Sequence, residues 1–208
     1  VCGATASWTD PELTDNCDDV LDLSSSHPNG GQFPVGTTEV TLTATDDHGN
    51  NSTSTFTVTV TDVEDPMITA MPATIEINND LNQCGAAVTW SEPTITDNCL
   101  VSSSGPDVAN GSVFEVGSHV VTYTATDSAG RTSSASFDII VTDAQAPAFT
   151  STPENMILDT DLDQCGAVAN WTPAVPGDNC AILSTISTHN PGDFFPTGTS
   201  TVTTTTTD

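Results

Sequence analysis

CGAAVTWSEPTITDNC, residues 84–99, decides the fold because it returns on either side, as CGATASW…TDNC over residues 2–17 and CGAVANW…GDNC over 165–180. Each stretch sets a Trp (Trp8, Trp90, Trp171) six residues after its first Cys and a second Cys fifteen residues after the first. Outside these stretches the register persists. Phe33, Phe114 and Phe195 are 81 residues apart, as are Gly36, Gly117 and Gly198 and the acids Asp46, Asp127 and Asp208. A period of about 80 residues is too long for a solenoid unit and suits one small domain per copy. The boundaries expected are 1–62, 63–143 and 144–208. The first copy would lack its opening strand and the third its closing strand, since residue 1 aligns with Gln83 and Asp208 with Asp127. The expectation is a fragment of one continuous array.

Within the middle copy, VVTYTATD (120–127) and ASFDIIV (135–141) alternate apolar and polar residues, and ATIEIN (73–78) does likewise. Period two with β-branched and aromatic residues is the mark of half-buried strands. The joining runs DSAGR (127–131) and, in the first copy, DDHGN (46–50) suit short hairpin loops. Nothing reads as a helix. Six or seven short strands per copy, one Trp and a cysteine pair predict an all-β chain of tandem immunoglobulin-like antiparallel β-sandwiches, arranged as an extended rod by short linkers with Pro66 and Pro147. Trp8, Trp90 and Trp171 are expected in the cores. One irregularity is visible in the third copy, where Thr204 and Thr206 stand at core-facing positions held by Leu42 and Ala44 in the first.

Composition excludes several functions. There are 28 Asp plus Glu against one basic residue, Arg131, for a formal charge of −27. Nucleic acid and anionic lipid are therefore not partners. At 36% apolar and 14% charged residues the chain can bury cores rather than stay disordered. No apolar run approaches the ~20 residues of a membrane span, so direct insertion is not expected.

Cys2, Cys17, Cys84, Cys99, Cys165 and Cys180 lack the close knuckles of zinc modules, so disulfides and an oxidising, extracellular compartment are expected. Closing a loop of about 15 residues contributes roughly 3 kcal/mol in the chain-entropy model, which favours Cys2–Cys17, Cys84–Cys99 and Cys165–Cys180. Pairing between neighbouring copies, such as Cys17 with Cys84, is the rival.

No catalytic set is expected. His27, His48, His119 and His189 lie in loop-like positions, and no glycine elbow of the G-x-S-x-G type occurs. Calcium is the one cofactor indicated, because it takes six to eight oxygen ligands and the chain is rich in them. Asp62, Glu64 and Asp65 of the TDVEDP junction, with Asp46, Asp47 and Asn50 of the first hairpin turn, form the candidate ligand set should those two elements converge.

The combination of CGA-x3-W, the TDNC corner, FPVG at 33–36, VTLTATDDHGN at 40–50 and the closing FTVTVTDVEDP at 56–66 resembles the hyalin repeat, an immunoglobulin-like extracellular module. The resemblance covers all three copies. It implies a cell-surface or matrix protein whose modules serve adhesion, and it resembles bacterial surface adhesins too, including those of gliding bacteria. The function expected is a structural and adhesive segment of a long surface stalk or filament. Its partners would be other modules of the same chain or filament and ligands on cells or substratum. A carbohydrate- or ligand-binding module array and an accessory region of a large secreted enzyme are the alternatives.

Overall fold

A computed structural model describes residues 2–17 and 21–208. All regular structure among them is β. Two compact units emerge, the first of Val1–Met71, Glu92–Asp107 and Thr122–Ser136, the second of Pro72–Ser91, Val108–Val121 and Phe137–Asp208. Each thus combines a terminal copy with part of the middle one.

The first copy is built on a long hairpin. Strands Gly36–Thr45 and Asn51–Val60 pair along their whole length, from Gly36↔Val60 to Thr45↔Asn51, and Asp22–Ser25 adds a third strand on the other edge. Alternation puts Val40 and Leu42 inside with the fully buried Phe33. Trp8, Leu23, Phe56, Val58 and Val60 close around them. The middle copy repeats the plan with Gly117–Asp127 and Thr132–Thr142, whose inward faces carry Val121, Tyr123 and Ala125 and, opposite, Phe137, Ile139 and Val141. Among the described residues, one pairing departs from an all-antiparallel sandwich. Ile75–Asn78 runs parallel to the closing strand, Ile139 facing Ile75.

The three tryptophans lie at the margin of their cores, half-buried. Trp8 meets Phe33 and Phe56 edge-on at 6.3 and 5.2 Å between centroids, Trp90 meets Phe114 and Phe137 at 6.4 and 5.3 Å, and Trp171 meets Phe195 at 6.1 Å. A loop asparagine brackets the first two. Asn29 accepts from the Trp8 amide and donates to its carbonyl, and Asn110 does the same for Trp90. Three histidines also pack on the repeated Phe, at 5.4 Å for His27–Phe33, 5.3 Å for His119–Phe114 and 4.9 Å for His189–Phe195.

The glycine of CGA has a steric cause. Gly85 pairs with Glu115, and a Cβ there would stand 2.5 Å from the Phe114 carbonyl oxygen and 3.2 Å from the Glu115 Cα. Backbone cannot yield as a flexible side chain does, so Gly85→Ala should cost about 1–3 kcal/mol. Urea unfolding would show the loss. An unchanged midpoint would mean that the strand shifts without penalty.

In the third copy, Thr204 and Thr206 are half-buried on the strand Thr204–Thr207. Their hydroxyls donate to Ser187 Oγ and the Ser184 carbonyl, both at 3.2 Å, and these bonds offset the penalty of placing hydroxyls inward.

Candidate cation site and the disulfides around it

Short acidic turns build the site. In TDNC the Asp97 carboxylate accepts the Cys99 amide through Oδ1 at 2.8 Å, a local turn that Asp and Asn favour. Asp15 and Asp178 do the same for Cys17 and Cys180. Asp62 Oδ1 accepts from the Glu64 amide at 3.3 Å, and Asp143 from Gln145 at 3.1 Å. At the end of Gly117–Asp127, Asp127 Oδ1 takes the amides of Ala129 and Arg131, both at 2.8 Å. One oxygen of each carboxylate is therefore committed to its own turn, which fixes the direction of the other.

Two of these carboxylates come together in the first unit. Asp62, Asp97 and Cys99 offer ligand atoms within 4.8 Å of one another. Asp127 stands outside that 4.8 Å group, but the backbone holds it near the same corner: it faces Val101 across the sheet, and Ser128 donates to the Leu100 carbonyl at 2.9 Å. Its turn also reaches the junction, because Arg131 Nε donates to Asp65 Oδ1 at 2.7 Å. Asp62 and Asp127 are 6% and 2% exposed. The buried oxygens Asp62 Oδ2, Asp97 Oδ2, Asn98 Oδ1 and Asp127 Oδ2 have no hydrogen-bond partner among the described residues. Four acceptors with no donor, three of them on carboxylates, make an environment that a cation would satisfy and a neutral donor set does not.

The second unit holds a related but more open arrangement, with Asp143 half-buried and Asp208 exposed where Asp62 and Asp127 are buried. Asp143, Asp178 and Cys180 offer a second cluster within 4.8 Å. Asp178 Oδ2 and Asn179 Oδ1 are again buried without a partner among the described residues. Asn179 Nδ2 donates to the Gln83 carbonyl at 2.8 Å. A cavity there is lined by Asp143, Asn179, Cys180 and Asp208.

The ligand set expected from sequence is divided by this geometry. Asp46, Asp47 and Asn50 sit at the turn end of the first hairpin, whereas Asp62, Glu64 and Asp65 follow its other end. Ten residues of strand at about 3.3 Å each put the two groups roughly 30 Å apart. Asp46 is moreover engaged within its turn, accepting His48 and Asn50 amides on Oδ1 and the Asn50 side-chain amide on Oδ2 at 2.8 Å. That Asn50 side-chain bond holds the Asp46 carboxyl below its ordinary value, with the Asn50 and His48 amides adding to it. Asp47 pairs with His48, and Asp65 with Arg131. Of the six residues, only Asp62 belongs to the cluster with Asp97 and Cys99.

The cysteines also pair otherwise than expected. Cys2 is bonded to Cys99 with Cα atoms 4.4 Å apart, and Cys84 to Cys180 at 4.8 Å, so the leading Cys of one copy joins the second Cys of the next. Cys17 and Cys165 are free and exposed. Neither the three bonds within segments nor Cys17–Cys84 forms. Closure entropy is a weak guide, since each doubling of loop length changes it by only about 0.6 kcal/mol, while bonding requires a Cα separation that only the folded chain sets. Cys99 and Cys180, being oxidised, bring no thiolate to the clusters, which leaves oxygen as the donor.

No helix of the described residues is long and apolar enough to cross a membrane. The HYR domain matches three consecutive spans, residues 2–60, 61–141 and 142–208. The chain is 34% identical over 210 residues to hyalin of Strongylocentrotus purpuratus and 37% identical over 212 residues to hyalin of Lytechinus variegatus, with 97% of the chain covered in both. It spans 17% and 39% of those two proteins. It is also 34% identical over 146 residues, 66% of its length, to 4% of a sushi, von Willebrand factor type A, EGF and pentraxin domain-containing protein of Rattus norvegicus. Extracellular cadherin domains 1–4 of protocadherin gamma B7 are similar at 16% identity and a TM-score of 0.31, covering 92% of this chain and 56% of that one. Three spans that together take in nearly the whole chain settle its membership: it belongs to the HYR domain family, as three successive copies.

Proposed function

We propose that the chain is a structural and adhesive segment of an extracellular surface stalk or filament, of the kind found on gliding bacteria. Its modules bind neighbouring modules and ligands on other cells or on the substratum. The observation that carries this reading is the tandem HYR array joined copy to copy by disulfides, which belong to an oxidising compartment. Three features support it further. Arg131 is the only basic side chain, the long strands are Thr-rich, and the tryptophans are engaged with Phe rings instead of forming an open aromatic platform for sugar. No catalysis is assigned. Calcium is the ion this reading calls for, because extracellular modules bind it at the 10⁻⁴–10⁻³ M level of their surroundings.

Antibody fragments raised against the 208-residue chain provide the test. They should label intact, unpermeabilised cells of the organism that makes it and reduce their attachment to glass or to one another. Labelling that needs permeabilisation, or attachment unaffected at saturating fragment, would exclude the reading.

A further inference from the structure

We infer that each compact unit binds one calcium ion, held in the first by Asp62, Asp97, Asn98 and Asp127 and in the second by Asp143, Asp178, Asn179 and Asp208. The two sets are the same four positions displaced by 81 residues. Acidic residues are abundant throughout the chain, so their number says little. Position and burial say more.

In the first unit two carboxylates, Asp62 and Asp127, are more than nine-tenths buried, and each has one oxygen bonded to its own turn and the other without a partner among the described residues. Asp97 repeats that division, and the Asn98 carbonyl oxygen, next along the chain, is buried and unpartnered too. The chain's one basic side chain does not supply the missing charge, since Arg131 is bonded to Asp65 on the exposed side. Like charges so placed repel one another. A divalent cation among them adds an attraction to each carboxylate that outweighs their mutual repulsion, and fills the empty acceptor directions at once.

The donor type selects the ion. Every available ligand is a carboxylate or amide oxygen, and the one nearby sulfur of each cluster is locked in a disulfide. Hard oxygen donors suit calcium, which accepts irregular geometry and completes six to eight ligands with water and backbone carbonyls. Zinc, which favours nitrogen and sulfur, is disfavoured. All four ligands of the first unit lie in the second matched span, residues 61–141, with Asp62 at its start, directly after the end of the first. The Cys2–Cys99 bond anchors the TDNC corner to the first copy at that same place. The inference rests on the extracellular reading only for the supply of calcium; binding by the purified chain is independent of adhesion.

The experiment is calorimetric titration of the disulfide-intact chain, stripped with EDTA, with calcium chloride up to about 5 mM. Binding of one ion per cluster is expected, half-saturating between about 10⁻⁴ and 10⁻³ M. Asp62→Asn with Asp127→Asn should remove the first-unit ion and leave the second, and Asp97→Asn should weaken the first at least tenfold. Asp46→Asn, whose carboxylate is satisfied within its own turn, should change nothing. Amide shifts of the unsubstituted chain give a readout free of folding effects: calcium should move Glu64, Cys99 and Ala129 most in the first unit. No heat by 5 mM, titration unaltered in the double variant, or shifts centred away from these turns would each overturn the assignment. Failure of the antibody experiment with calcium binding intact would strike the adhesive reading alone.

Discussion

Non-reducing digestion of the native chain should return Cys2–Cys99 and Cys84–Cys180 peptides, with alkylation confined to Cys17 and Cys165. Replacing Cys84 and Cys180 together by Ser should then destabilise the second unit by up to about 4–5 kcal/mol. The size follows from the sequence separation of 96 residues, since a loop of about 100 residues contributes about 4.7 kcal/mol in the chain-entropy model and one of about 15 residues about 3. Paired substitution avoids leaving a lone thiol that could exchange with Cys165. Two outcomes discriminate between pairing schemes. A Cys84–Cys99 peptide would restore bonds within the segments, and a Cys84→Ser/Cys180→Ser chain as stable as the parent would mean that the bond adds nothing to packing already complete without it.

The strands were readable because alternation is a local property. VVTYTATD names its inward residues, and Val121, Tyr123 and Ala125 are indeed 0–1% exposed. Alternation does not name a partner. Ile75–Asn78 has the same pattern whether it pairs parallel or antiparallel, and its parallel register with Ile139–Thr142 joins residues 64 positions apart in the sequence. The same limit applies to the cysteines, whose even spacing is compatible with bonds inside a segment or between successive ones. It applies again to the acids. A hairpin turn and a junction were expected to meet, and a turn does reach the TDVEDP junction, but it is the turn of the second copy, at Asp127–Arg131, and not that of the first.

A signal for the cluster was nevertheless present. Asp62, Asp97, Asn98 and Asp127 each return 81 residues later, whereas Asp47, Glu64 and Asp65 are replaced by Ser128, Gln145 and Ala146. In a chain with acids everywhere, an acid that recurs in register marks a position, and one that does not is solvated surface. The half-buried tryptophans were harder to foresee. Size alone predicts a core Trp, but it does not say that the ring will stand at the core's margin, against the repeated Phe.

Truncating the repeated phenylalanine should separate the three copies by cost. Phe33 is 0% and Phe114 6% exposed, each against a Trp and a His ring, whereas Phe195 is half-buried. Phe→Ala in a closed core removes the transfer free energy of the ring and leaves a cavity that neighbours fill only in part, for a total of about 3–5 kcal/mol. Phe33→Ala and Phe114→Ala should therefore reach that range, and Phe195→Ala should fall below it, because water already meets part of its ring and can enter the space left behind. Each copy carries its own reporter: Trp8 lies 6.3 Å from Phe33, Trp90 6.4 Å from Phe114 and Trp171 6.1 Å from Phe195. Chains retaining a single Trp, unfolded in urea and followed by fluorescence, would assign each loss to its copy. Equal losses at all three positions would show that burial of this ring does not set the stability of its copy. A loss at Phe195 matching that at Phe33 would further place the third copy's core on the same footing as the first, despite the threonines at 204 and 206.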